Sequence, residues 1–348
     1  MKTIDDAKAL IQSYDGPPVR IMEVCGTHTH EIFRLGIRAL LPENVQLISG
    51  PGCPVCVTPA DFIDEAVYLA LTENVTICTF GDLVRVPGSR MSLAGARAAG
   101  GRIQSVYSPV DAQQYAADHS DEEVVFLSVG FETTTPSSCI AVENAMDKGL
   151  SNFSLLTANK TMPAAYRALK GSADAFLYPG HVHAIIGTGI CRQLAKEGVS
   201  GACAGFTAFE LITALAVILS KLKKGSPFFV NCYPRVVKDE GNIAGQKLIE
   251  KYMRPVDCVW RGLGVIEGSG LTLRDEYSRF DARKKYSIPA MTGRDDPGCR
   301  CADVLRGIIK PTGCPLFSKA CTPANPKGAC MVSGEGTCSA YYQYSGNI

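Results

Sequence analysis

Short runs of apolar, β-branched and aromatic residues recur along the chain, each closed by glycine or a polar turn. They are VRIMEV (19–24), VQLIS (45–49), VTICTF (75–80), VVFLSV (124–129), FSLLTA (153–158), AFLY (175–178), GACAGF (201–206) and PFFVNCY (227–233). Largely unbroken runs of this kind predict strands covered on both faces. The helical patterns that follow most of them predict βαβ units around parallel sheets.

Two stretches, VTICTFGDLVRVPGS and VVFLSVGFETTTPSS, share a strand, a glycine, an acid and then Pro and Ser. This self-similarity predicts two related Rossmann-like α/β domains, at 19–118 and 119–240, with the polar AADHSDEE (116–123) between them. Beyond residue 240 the apolar periodicity fades and Gly and Pro rise. We expect a third, loop-rich α/β unit over 241–348, with 1–18 grouped provisionally beside it.

The unusual clusters begin where the predicted strands stop: CGTHTH (25–30), GPGCPVC (50–56), FGD (80–82), GFETT (130–134) and PGHVH (179–183). Ligands of open parallel sheets bind at the carboxyl ends of strands. These clusters are therefore expected to line shared clefts.

Composition narrows the classes. A chain of 348 residues, 46% apolar, can bury two or three cores. Lys+Arg at 35 against Asp+Glu at 34 leaves no basic excess for nucleic acid or a membrane surface. MKTIDDAKAL carries acids where a signal peptide would be apolar, and ELITALAVILS (210–220) is too short to span a bilayer. A cytoplasmic protein is expected. In a reducing compartment, 15 cysteines point to metal binding or redox work rather than structural disulfides. Four of the five histidines fall in two H-x-H pairs, His28/His30 and His181/His183, while His119 is expected to be solvated.

Six cysteines, Cys299, Cys301, Cys314, Cys321, Cys330 and Cys338, lie in a Gly/Pro-rich segment. Four thiolates so gathered suit an iron–sulfur cluster or a structural zinc. The gaps are wider than zinc knuckles, which favours a bulky cubane, but spacing alone leaves the choice of four open. Cys53 and Cys56 form a C-x-x-C. With Thr58 as N-cap, Pro59 at N1 and Asp61 at N3 of a following helix, the pair reads as a dithiol whose thiolate is stabilised by a helix N-terminus. Half of a zinc knuckle is the bland alternative. Cys25 at a strand end has His28 three residues on, placed to share a metal or act as its base, unless the histidines merely cap a turn. Glu132, Asp82 and His181 sit at comparable strand ends, for proton transfer or for orienting Cys25, with helix capping an equal contender. GSGLTL and GTGI lack the pattern of a phosphate loop.

CGTHTH, GPGCPVCVTP, TFGDLVRVPGS, GFETT, PGHV, WRGLG (260–264) and CMVSGEGTCSAYY (330–342) together resemble the HypD family of nickel–iron hydrogenase maturation factors, over almost the whole chain. The resemblance implies three α/β domains and one [4Fe-4S] cluster held by C-x14-C-x6-C-x16-C. Here that pattern selects Cys299, Cys314, Cys321 and Cys338, and leaves Cys301 and Cys330 as non-ligands. It also implies a scaffold on which the Fe(CN)2CO group is assembled, with a HypC-type small partner and cyanide delivered by a HypE-type partner. Cys25, helped by His28, would hold the iron, beside the redox-active Cys53 and Cys56. Two motifs depart from the family: GFTAFE places Thr207 and Glu210 at acidic positions, and His183 replaces the serine after PGHV. The runner-up function is an iron–sulfur-driven thiol–disulfide reductase acting on a protein. A zinc-stabilised binding protein is the bland one.

Overall fold

The computed structural model describes residues 3–344; the ends of the expected first and last segments, residues 1–2 and 345–348, lie outside them. Among the described residues, eleven strands form two sheets. They are β1 (Val19–Glu23), β2 (Val45–Ser49), β3 (Thr76–Thr79), β4 (Arg102–Ser105), β5 (Val124–Gly130), β6 (Phe153–Lys160), β7 (Ala175–Pro179), β8 (Gly201–Ala204), β9 (Phe229–Asn231), β10 (Met253–Trp260) and β11 (Gly264–Leu273). One sheet, ordered β2-β1-β7-β8-β9, is wholly parallel. The other, β10-β11-β6-β5-β3-β4, is parallel except where β11 and β10 add as an antiparallel hairpin. The fold is therefore α/β, and all eight expected strands are present.

Every residue of β5 and of β6 is buried, as central strands covered on both faces require. By contrast β10 alternates half-buried and exposed positions between its buried ends and tolerates Pro255, consistent with its place at the sheet edge.

Sheet membership cuts across the segments expected from sequence texture. Strands on both sides of residue 118 enter each sheet, with Ile21 in register with Ala175 in one and Ile77 with Val125 in the other. The two self-similar stretches supply β3 and β5, which are neighbours in the same sheet rather than counterparts in two domains. The start of the expected C-terminal unit builds the hairpin edge of the second sheet. Helix Ile4–Gln12, opened by a Thr3/Asp6 capping box, buries Ala7 and Ile11 with Leu211 and Leu215 of helix Ala208–Leu222, so it covers the first sheet.

Three apolar layers cover the sheet faces. A further one runs between the sheets through Met22, Ile48, Cys56, Phe131, Tyr178, Trp260, Cys301 and Cys330. It joins both sheets to the cysteine segment. No helix among the described residues is long and apolar enough to cross a membrane.

Candidate functional site

β1 delivers Cys25 as the N-cap residue of helix Gly26–Arg34, with extended backbone at φ −155°. The strand end is fixed by Glu23, which is fully buried. Its carboxylate accepts from Arg38 at 2.6 Å, Thr29 at 2.7 Å and Ser49 at 3.1 Å. At the helix start the N–H groups of His28 and Thr27 face the Cys25 sulfur and favour its thiolate, but burial outweighs them and pushes the thiol up to about 12. The resting group is thus a protonated thiol.

The His28 ring hydrogen-bonds the Gly205 carbonyl through Nε2 at 3.0 Å. A carbonyl only accepts, so the proton is on Nε2 and the lone pair on Nδ1. Nδ1 is buried and has no hydrogen-bond partner among the described residues. Phe206 packs against His28 at 4.8 Å between centroids and against His181 at 5.1 Å. Burial, with His181 nearby, pushes His28 down to about 3, and burial pushes His181 down to about 4, so both imidazoles are neutral at pH 7.

The GPGCPVC loop lies directly on Cys25. Gly26 donates to the Gly52 carbonyl at 3.0 Å and Gly50 donates to Glu23 at 2.8 Å. Cys53 is itself the N-cap of a short helix, Pro54–Val57, and its sulfur accepts the Cys56 N–H at 3.4 Å. The expected helix start moves accordingly. Thr58 closes this short helix, its hydroxyl donating to the Pro54 carbonyl at 2.8 Å, and Pro59 is the N-cap of helix Ala60–Thr72.

All six C-terminal cysteines wall one small cavity, together with Val304, Leu316, Phe317 and Met331. Lys327 donates its N–H to the Cys321 sulfur at 3.3 Å, the kind of contact that favours a thiolate ligand. The Cys301 and Cys330 sulfurs are 2.8 Å apart, and Cys330 also hydrogen-bonds Cys338 and Cys56. A line of thiols therefore runs from the cavity through Cys330 to Cys56 and Cys53. Among the described residues no three His, Cys, Asp or Glu side chains form a group that could hold a metal ion. The six cysteines instead line one shared void, and their common place in its wall leaves the choice of four as open as spacing did.

The cysteine segment also closes over the Cys25 helix. Thr27 donates to Glu335 at 2.6 Å, and the Tyr344 hydroxyl meets His30 at 3.4 Å. Beside this contact a cleft of about 640 Å³ opens, lined by Thr27, His30, Cys53, Val55, Phe80, Asp82, Thr134 and Glu335 among others. Strand-end clusters from both sheets thus meet there, including CGTHTH, GPGCPVC, FGD and GFETT.

The HypD family model, described as the hydrogenase formation hypA family, matches residues 2–345. The chain belongs to the HypD family. It is 42% identical over 339 residues to the hydrogenase maturation factor HypD of Rhodobacter capsulatus, covering 94% of this chain and 90% of the relative. It is 43% identical over 333 residues to that of Escherichia coli K12, covering 94% and 89%. A putative hydrogenase expression/formation protein of Methanocaldococcus jannaschii is 39% identical over 350 residues, covering 99% and 96%.

Cys25, His28 and Cys56 do not line this cleft, and the PGHVH cluster and the remaining candidate positions of this HypD-family chain lie away from its wall as well. Glu132 is buried, with Oε1 accepting the Met162 N–H at 2.8 Å and Oε2 unpartnered. Burial pushes its carboxyl up to about 7. It is near Tyr166, whose hydroxyl meets His183 Nε2 at 3.4 Å, with the Cys191 sulfur 3.4 Å from that same nitrogen. His183 is thus a core group, its Nδ1 held by the Gly187 carbonyl at 2.9 Å. Thr207 and Glu210 form the capping box of helix Ala208–Leu222, and Arg235 grips Glu210 at 2.7 Å. His119 is half-buried rather than solvated, closing helix Pro109–Asp118 and stacked on Tyr115 at 4.0 Å.

Three contributors carried no signal that residue patterns alone revealed. Glu335 looks like an acid in a Gly-rich loop. Glu23 looks like a polar strand end. Arg261 is 5% exposed, joins the Thr58 carbonyl at 3.0 Å and pairs with Asp295, fastening the C-x-x-C loop from behind.

Proposed function

We propose that this HypD-family chain matures nickel–iron hydrogenase by holding the iron that receives cyanide and CO. It acts with a HypC-type partner and takes cyanide from a HypE-type donor. The observation that carries the reading is the seating of the Gly52 loop on Cys25, which puts a thiol with a metal-ready helix N-terminus beside a dithiol. Cys25 is the ligand that anchors the iron substrate, and the lone pair on His28 Nδ1 is the adjacent nitrogen donor. Thr27 and Glu335 close that end of the cleft.

Cyanide carried on a partner's sulfur leaves as cyanide only if two electrons arrive. Cys53 and Cys56 supply them. Their two S–H bonds break, an S–S bond forms, one proton goes to the carrier sulfur as its S–C bond breaks, and the other leaves with cyanide. A [4Fe-4S] cluster, when bound by Cys299, Cys314, Cys321 and Cys338, supplies single electrons. Cys330, in the wall of that cavity and beside Cys301, hydrogen-bonds Cys56, which supports a return path to the dithiol.

The test is an infrared spectrum of the protein co-purified with its HypC-type partner. Cyanide and CO stretches are expected, and they should vanish in Cys25→Ser while the visible absorption of the cluster persists. A plain thiol–disulfide reductase acting on a protein would show turnover of a disulfide substrate and no such bands. The opening of Cys53 onto the large cleft is the observation that keeps this second reading in view.

A further inference from the structure

The second sheet carries a lysine–cysteine contact that the maturation chemistry does not use. Lys160, the last residue of β6, is 1% exposed. Its nitrogen donates to the Cys258 sulfur at 2.9 Å and to the Val259 carbonyl at 2.9 Å. Neither partner is a carboxylate, although a buried ammonium is costly without one. Burial accordingly pulls Lys160 down toward its neutral, nucleophilic amine.

Cys258 is in β10, with β11 lying between it and β6. Lys160 crosses β11 at Gly270, its register partner. A Cβ on Gly270 would stand 2.6 Å from the Cys258 Cβ and 3.3 Å from its sulfur, so the glycine keeps this crossing open. A cavity of about 290 Å³ borders both side chains, walled also by Asp61, Asn159, Leu271 and Arg283. It admits a small oxidant to a half-buried thiol.

We propose that Lys160 and Cys258 form a modification site at which peroxide joins the two side chains through a single oxygen, as an N–O–S bridge. One peroxide takes two electrons from the thiol: an S–O bond forms, the O–O bond breaks, and one water leaves. A second peroxide accepts the two electrons released as the Lys160 amine bonds to that same oxygen. Its O–O bond breaks, and two waters leave carrying one amine hydrogen and the sulfenic hydrogen. The product ties β10 to β6 across β11, between residues 98 apart in sequence. Reduction by two equivalents of a dithiol, which supply four electrons and four protons and each close to a disulfide, restores amine, thiol and water.

The experiment exposes the full-length protein to dilute hydrogen peroxide, followed by alkylation, digestion and mass spectrometry. The peptides holding residues 160 and 258 should fuse into one species. Its mass is their sum with one oxygen gained and two hydrogens lost, and dithiothreitol should separate it. Lys160→Met should stop Cys258 at a dimedone-trapped sulfenic acid, and Lys160→Arg serves the same purpose should the first variant not fold. Cys258→Ser should abolish the fused species. Recovery of wild-type Cys258 as a sulfur acid with Lys160 unmodified, or untouched under conditions that oxidise Cys53 and Cys56, overturns the proposal.

Discussion

Gly52 touches the backbone of Cys25 so closely that a methyl group on Gly52 would stand 2.1 Å from the Cys25 nitrogen and 2.2 Å from its Cα. Neither backbone atom can turn aside as a side chain would. Gly52→Ala must therefore push the C-x-x-C loop off the Cys25 helix, at a cost of about 2 kcal/mol or more. We expect a lower Tm, an intact cluster spectrum and loss of the cyanide and CO bands. Bands of full intensity in Gly52→Ala would mean that iron assembly does not depend on this seating.

Much of the scaffold was legible because central strands such as Val124–Gly130 are buried on both faces and read as unbroken apolar runs. The hairpin Met253–Leu273 was not, since Pro255 and four glycines in Gly264–Leu273 and its turn disguise an edge with one wet face. β4, RIQS, is likewise a short polar edge. Strand order was hidden for a different reason. Which sheet a buried run joins depends on partners such as Ile21 and Ala175, which only the folded chain brings together. The same division holds at the site. Cys25, Cys53 and Cys56 announce themselves by residue type and spacing, whereas the bond from Thr27 to Glu335 joins positions 308 apart. Glu132 was visible as an acid beyond a strand, but its inward turn toward Met162 and Tyr166 was not.

The six cysteines around one cavity should divide by function. Replacing Cys299, Cys314, Cys321 or Cys338 with Ala should bleach the visible absorption and expose residues 290–344 to proteolysis, because that segment has little apolar core of its own. Cys301→Ala and Cys330→Ala should keep the colour, yet slow the reduction of an oxidised Cys53/Cys56 pair, as followed by alkylation. If Cys301→Ala bleaches the protein while Cys299→Ala does not, the spacing has selected the wrong four.

Glu132 predicts a pH dependence of stability. Its carboxyl is raised from 4.5 to about 7 in the fold. The stability it contributes is present below its unfolded value and is lost as pH climbs through about 7. Each unit corresponds to about 1.4 kcal/mol, so the loss approaches roughly 3 kcal/mol. Glu132→Gln is neutral at every pH and should escape it. The variant should gain in Tm over the wild type as melts are taken from about pH 5 to about pH 8. A difference between the two that does not change with pH would show that Glu132 is not buried as a neutral acid.

Cys25 and His28 should separate anchoring from tuning. Burial holds the Cys25 thiol near 12, so only a strongly bound cation repays its ionisation. Serine has a similar size, but its oxygen is harder and far less acidic, and cannot replace a soft thiolate on an iron carrying cyanide and CO. Cys25→Ser should keep the fold and the cluster absorption and lose the infrared bands entirely. His28→Ala removes a neutral donor already oriented by the Gly205 carbonyl, but leaves the thiolate in place. Its bands should weaken and shift rather than vanish. His28→Gln keeps a polar group of comparable reach without an imidazole lone pair, and should resemble His28→Ala if ligation matters. Restoration of full band intensity by His28→Gln would reduce His28 to a spacer held against Phe206.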